Sequence, residues 1–119
     1  MRVLTGDADV VLEAGPENLA WKQALFVELE QQAPAHALLA SNTSVIPITA
    51  TMRDVKTGRR AMGTHWWNPP YLVPLVEVIK TPLTQTTLAQ QMFNLLAAVG
   101  KTPAMVERDV PGFIGNRLQ

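Results

Sequence analysis

The sequence predicts an α/β domain built on a largely parallel sheet, and three observations carry that prediction. Short apolar runs at Val10–Leu12, Ala37–Ala40 and Leu72–Ile79 read as buried strands, and Ala61–Trp66 and Thr102–Val106 read as two more strands. Two intervening segments repeat their apolar residues with the helical period, as crossovers between strands require. A polar cluster, Ser41-Asn42-Thr43-Ser44, closes the second run, and in open α/β sheets ligands bind at the carboxyl ends of strands.

The 119 residues suffice for one domain. Hydrophobic residues make up 47% and charged residues 17%, a balance that suits a globular core. Ten basic residues offset ten acidic ones, so no basic patch argues for nucleic acid and no charge run for a disordered tail. With no cysteine and two histidines, disulfide frameworks, thiolate metal sites and His-rich metal sites are all excluded, and no metal is expected. No apolar run has transmembrane length, and no secretory leader is visible after Met1-Arg2. The expectation is a cytoplasmic protein with neither membrane nor nucleic acid as partner.

Each element has its own signal. Gly15-Pro16 breaks the first strand; Pro16 suits the first position of a helix and Glu17 its positive end. Trp21, Leu25 and Leu29, with Phe26 and Ala33 alongside, form the apolar stripe of that helix, which Pro34 ends. Pro47–Met52 can make a helical turn, and the polar stretch Arg53–Arg60 reads as a surface loop or frayed helix. Thr84 can cap a further helix with Leu88, Met92, Leu95 and Val99 on one face. Gly100 stops it in the C′ manner, and Pro103 follows. Pro111-Gly112 turns the chain into Phe113-Ile114-Gly115-Asn116-Arg117-Leu118, the opening of another helix. None of the seven glycines forms the Gly-x-Gly-x-x-Gly phosphate loop.

The chemical lead is a pair. Glu77 stands inside the apolar run Leu72–Ile79, where a carboxylate is costly without a partner. His65 ends the preceding run, and Asn68-Pro69-Pro70 would turn the chain so that the two come side by side. A histidine held by a carboxylate is a general base with fixed tautomer and orientation. From pattern alone a single His at a strand end is more often structural than a base, Glu77 can face solvent from an edge, and Asn42 and Ser44 can merely cap a turn. Trp66 and Trp67 read as packing residues.

Four blocks in order, Ser41-Asn42-Thr43-Ser44, Gly63-Thr64-His65-Trp66-Trp67-Asn68-Pro69, Pro74-Leu75-Val76-Glu77-Val78-Ile79 and Pro111-Gly112-Phe113-Ile114-Gly115-Asn116-Arg117-Leu118, resemble the L-3-hydroxyacyl-CoA dehydrogenases. Glu13-Ala14-Gly15-Pro16-Glu17-Asn18 with Lys22 also resembles that family, and the likeness covers nearly the whole chain. Where the family usually has Phe-Phe, this chain has Trp66-Trp67.

The resemblance implies NAD as cofactor, an acyl-CoA substrate and, for a full-length member, a homo-oligomer. It implies that His65 takes the proton of the substrate 3-hydroxyl as hydride leaves for the nicotinamide, and that Glu77 orients His65. Ser44 and Asn116 would contact the substrate, and Glu17, Lys22, Ser44 and Asn68 would contact NAD. Against the family pattern, the first βαβ half with its dinucleotide fingerprint and the C-terminal helical domain are missing. The expected fold is therefore a Rossmann-like, partial doubly wound sheet lacking both. Residues 1–110 would belong to the NAD-binding domain and residues 111–119 would open the truncated helical domain. Two rival readings stand beside this one: a dehydrogenase of a free hydroxy or sugar acid on the same scaffold, and a non-catalytic remnant that serves as an interaction module.

Overall fold

The computed structural model describes residues 9–42, 46–66 and 74–106. In chain order they form β1 (Val10–Glu13), α1 (Leu19–Gln32), β2 (Leu38–Ser41), the short helix α2 (Ile48–Thr51), β3 (Ala61–Trp66), β4 (Leu75–Lys80), α3 (Thr86–Ala98) and β5 (Thr102–Val106). The strands lie in one sheet in the order β1-β2-β3-β4-β5. All neighbours are parallel except β3 and β4, which are antiparallel. Residues 67–74 join those two strands, too few for a parallel crossover, which needs a dozen or more. The expected turn at Asn68-Pro69-Pro70 and the helix from Pro111 lie outside the described residues.

Helices cover both faces. Leu25, Phe26 and Leu29 of α1 and Ile48 of α2 pack with Leu39 and Ile79 on one face. Ala89, Met92 and Leu96 of α3 pack with Met62, Val76 and Val78 on the other. Each large apolar side chain so buried contributes about 1.5–3 kcal/mol. The strand alternation therefore sorts residues by face: Glu13, Ser41, Gly63, His65 and Glu77 share the α1–α2 side with Leu39 and Ile79.

Three local expectations are corrected. Pro16 does not open α1. The helix starts at Leu19, because the Asn18 side chain accepts from the Trp21 N–H at 2.9 Å and caps it there. Thr84 does not cap α3, whose N-cap is Gln85. The Thr84 hydroxyl instead accepts from the Thr81 N–H at 2.9 Å and donates to the Ala61 carbonyl at 2.7 Å. The apolar stripe of α3 is also turned by one residue: Leu95 and Val99 are 43% and 64% exposed while Ala89 and Leu96 are buried. Ala89 is buried with Met92 and Leu96 in the cluster on this face of the sheet. The C-terminus of α3 is as expected. Gly100 has φ +90°, its N–H donates to Ala97 and that of Lys101 to Leu96, the two bonds of a Schellman cap.

The stretch Arg53–Arg60 is not merely a surface loop. It ends in a 3-10 turn at Gly58–Arg60, and Arg60 is only 3% exposed. Its guanidinium donates to the carbonyls of Pro34 (2.6 Å), Ala37 (3.1 Å) and Glu30 (3.3 Å) and to the Thr57 hydroxyl (2.8 Å). It thus satisfies carbonyls left over where α1 ends, which secondary structure cannot pair. Burial pulls the Arg60 guanidinium below its usual range, against the pull of Glu30. Burial would raise Glu30. The Thr57 hydroxyl, the backbone N–H groups of Lys56 and Thr57, and the Arg60 charge outweigh it and hold Glu30 below the usual carboxylate range.

Candidate active site

The carboxyl ends of β1, β2 and β3 point to one edge of the sheet, and the polar groups on the α1–α2 face gather there. His65 and Glu77 are direct cross-strand partners in the antiparallel ladder, so their side chains leave the same face at the shortest separation a sheet offers. His65 Nδ1 lies 3.1 Å from Glu77 Oε1, and the residues are 8% and 1% exposed. The pair anticipated from the apolar run is thus formed. A carboxylate only accepts, so Nδ1 is the donor in this contact, and in the neutral ring Nε2 is left as the acceptor.

Two positions behind His65, Gly63 lets α2 rest on the sheet. A Cβ there would stand 2.6 Å from Ile48 Cδ1 and Cγ1. Ile48 therefore fixes the height of α2 over β3, and with it the return of the chain from β2.

A second constellation lies at the ends of β1 and β2. The Glu13 carboxylate receives Lys22 Nζ at 2.6 and 2.9 Å, the Ser41 hydroxyl at 2.5 Å and the Gly15 N–H at 2.5 Å. Lys22 is wholly buried and Glu13 5% exposed. Glu13 was not anticipated as part of a site. The signal was present: Lys22 occupies the buried stripe of α1 with Leu25, Phe26 and Leu29, and a cation in such a stripe demands a buried anion.

Of the remaining anticipated residues, Glu17 is exposed in the loop between β1 and α1. Lys22 is engaged by Glu13, so its ammonium reaches the edge only as part of that pair. Ser44, Asn68 and Asn116 lie outside the described residues. Asn42 is half-buried, and its Oδ1 accepts from the Trp66 N–H at 3.1 Å. Trp66 packs against the α3-side core, with Lys101 Nζ 5.3 Å from its ring centroid; Trp67 lies outside the described residues. Among the described residues no group of three or more His, Cys, Asp or Glu is placed to hold a metal, and no helix is long and apolar enough to cross a membrane.

At this edge the described residues place a carboxamide, a hydroxyl and carboxylates that bond chiefly to neighbouring protein groups, and the buried cation, Lys22, is neutralised by Glu13. Among the described residues no glycine-rich turn is present to cradle a pyrophosphate.

Comparison with known proteins agrees. The family described as "3-hydroxyacyl-CoA dehydrogenase, NAD binding domain" matches residues 1–110. Hydroxyacyl-coenzyme A dehydrogenase, mitochondrial, from Homo sapiens is 42% identical over 110 residues, 92% of this chain and 35% of that protein. L-carnitine dehydrogenase from Streptomyces griseus is 40% identical over 113 residues, 95% of this chain and 34% of that protein. The crystal structure of 3-hydroxybutyryl-CoA dehydrogenase from Escherichia coli K12 superimposes with a TM-score of 0.91 at 39% identity, covering 95% of this chain and 24% of that one. The chain spans about a third or less of the length of the curated relatives it matches. With its sheet, its helices on both faces and its edge of polar groups, this Rossmann-like chain belongs to the family of 3-hydroxyacyl-CoA dehydrogenase NAD-binding domains.

Proposed function

We propose that the chain is the catalytic-base half of the cofactor domain of an NAD-dependent 3-hydroxyacyl-CoA dehydrogenase, which oxidises an L-3-hydroxyacyl-CoA to the 3-oxoacyl-CoA. The observation that carries this is the buried His65–Glu77 pair, 3.1 Å apart at the carboxyl edge. His65 Nε2 takes the proton of the substrate 3-hydroxyl. The Glu77 carboxylate holds the ring and stabilises the imidazolium that forms. NAD, when bound, supplies the hydride acceptor. Glu17, Asn68 and Ser44 are assigned to its nicotinamide–ribose half, and Lys22 to supporting that half from its pair with Glu13. Ser44 and Asn116 are assigned to the substrate oxygens. Residues 1–110 form the cofactor domain in this reading and 111–119 open the helical domain. The enzyme is read as cytoplasmic and homo-oligomeric.

The test is NADH-dependent reduction of acetoacetyl-CoA by a chain completed on both sides with the corresponding segments of the human relative. Turnover that His65→Gln abolishes supports the reading. Turnover that survives His65→Gln overturns it. A second reading, oxidation of a free hydroxy acid, is favoured by one observation, the 40% identity to a protein named for L-carnitine. It predicts turnover with hydroxy acids and none with the CoA ester. No turnover with either class would leave the non-catalytic interaction module.

A further inference from the structure

The backbone ladder between β2 and β3 runs from Leu39 opposite Ala61 to Ser41 opposite Gly63, and stops there. On its other side β3 stays paired with β4 through His65 opposite Glu77 and Trp66 opposite Val76. Among the described residues the β2 ladder does not extend along β3 beyond Gly63. Backbone that a ladder has left is held less firmly than backbone within it. That is an unsuitable seat for a base whose ring must be fixed to within a fraction of an ångström.

A side chain takes over the bracing. Asn42, the first residue past β2, accepts the Trp66 N–H on Oδ1 at 3.1 Å. That N–H lies beyond the last described pair of the β2–β3 ladder. Asn42 is itself secured, since its own N–H donates to the Glu13 carbonyl at 2.7 Å. The Glu13 side chain is bonded to Lys22 and to the Ser41 hydroxyl. A continuous run of hydrogen bonds thus leads from the buried ion pair, through Asn42, to the residue after His65.

We propose that Asn42 is a positioning residue for His65: its carboxamide oxygen stands in for the ladder partner that β2 no longer supplies and holds the end of β3 so that His65 stays on Glu77. A carboxamide suits the place because it supplies the acceptor without adding a second negative charge beside the His65–Glu77 pair. Alanine supplies no acceptor. This inference rests on the reading of His65 as the base.

The experiment uses the 119-residue chain, 15N-labelled, with His36→Gln identifying which of the two histidine rings is which. In the wild type the Trp66 amide must be protected from hydrogen exchange, and the His65 ring must show a hydrogen-bonded Nδ1 proton. Rapid exchange of the Trp66 amide in the wild type overturns the proposal without any variant having to fold. In Asn42→Ala, Trp66 exchange is expected to speed by about tenfold, the loss of one net hydrogen bond, and the His65 Nδ1 signal to disappear, while the Leu39 and Ala40 amides keep their protection. Asn42→Asp retains the acceptor and is expected to keep Trp66 protected and the His65 signal present. If the His65 signal is indifferent to Asn42→Ala, this inference alone falls. If His65→Gln leaves turnover intact in the completed chain, the site reading and this inference fall together.

Discussion

Replacing Lys22 by Met should cost this domain a large part of its stability. The ammonium is wholly buried and makes two bonds to Glu13, at 2.6 and 2.9 Å. The substitution removes the cation but leaves the Glu13 carboxylate in place, 5% exposed, with the Ser41 hydroxyl and the Gly15 N–H as its remaining donors among the described residues. Breaking one side of a buried pair typically costs about 3–5 kcal/mol, against a total of about 5–15 kcal/mol for a domain. With a urea slope of about 2 kcal/mol/M, the midpoint should fall by about 2 M. The pair's own contribution is separable from that cost. In Glu13→Gln with Lys22→Met no charge is stranded, and the carboxamide keeps one acceptor oxygen for Ser41 or Gly15, which in the wild type bond different carboxylate oxygens. The double variant should therefore be more stable than Lys22→Met alone, with a coupling energy of about 1–3 kcal/mol in the double-mutant cycle. Urea unfolding followed by circular dichroism for the four proteins gives the numbers. A midpoint shift under about 0.5 M for Lys22→Met, or additive effects, would refute the account of Lys22 as an obligate counter-charge.

Three further outcomes are expected. In the completed chain, His65→Gln should lower kcat about 10² to 10⁴-fold and Glu77→Gln by less, since it keeps the acceptor but loses the charge; steady-state kinetics decide it, and equal effects would mean that Glu77 does more than orient. Glu30 is held below the usual carboxylate range by burial outweighed by Thr57, Lys56 and Arg60, so its contribution is fully present above its unfolded value of about 4.3 and is lost as pH falls through the lower folded value. Wild type should thus exceed Glu30→Gln in melting temperature at pH 7, with the gap closing below about pH 4; a gap that widens on acidification contradicts the sign. Gly63→Ala should destabilise by about 1–3 kcal/mol through overpacking, because its Cβ would meet Ile48 at 2.6 Å. In an Ile48→Ala background the same change should cost little, as urea midpoints will show.

What the sequence disclosed and what it hid follow a physical line. Strands and the His65–Glu77 pair were legible because each rests on a local pattern: an apolar run, and a carboxylate that such a run cannot bury alone. The α1 stripe was legible for the same reason, and so was the C-terminal stop at Gly100. The start of α1 was misplaced because proline's fixed φ was weighed above the cap that Asn18 makes with Trp21. The rotation of α3 was hidden because Leu95 and Leu96 are equally apolar, and only packing against the sheet chooses between them. Glu13 was announced by Lys22 in the α1 stripe, but Arg60 was hidden for a deeper reason. The carbonyls it reaches lie 23 to 30 residues away, and no one-dimensional spacing announces a bond that a crossover brings together.

The reversal of direction between β3 and β4 has an engineering consequence. Because His65 and Glu77 are opposed by ladder register, their pairing is a property of the two strands themselves. What it cannot survive is a slip of one residue, which would send one partner through to the α3 side. A change within residues 67–73 that keeps Asn68 and the Trp66–Val76 step of the ladder should therefore leave the two side chains in register.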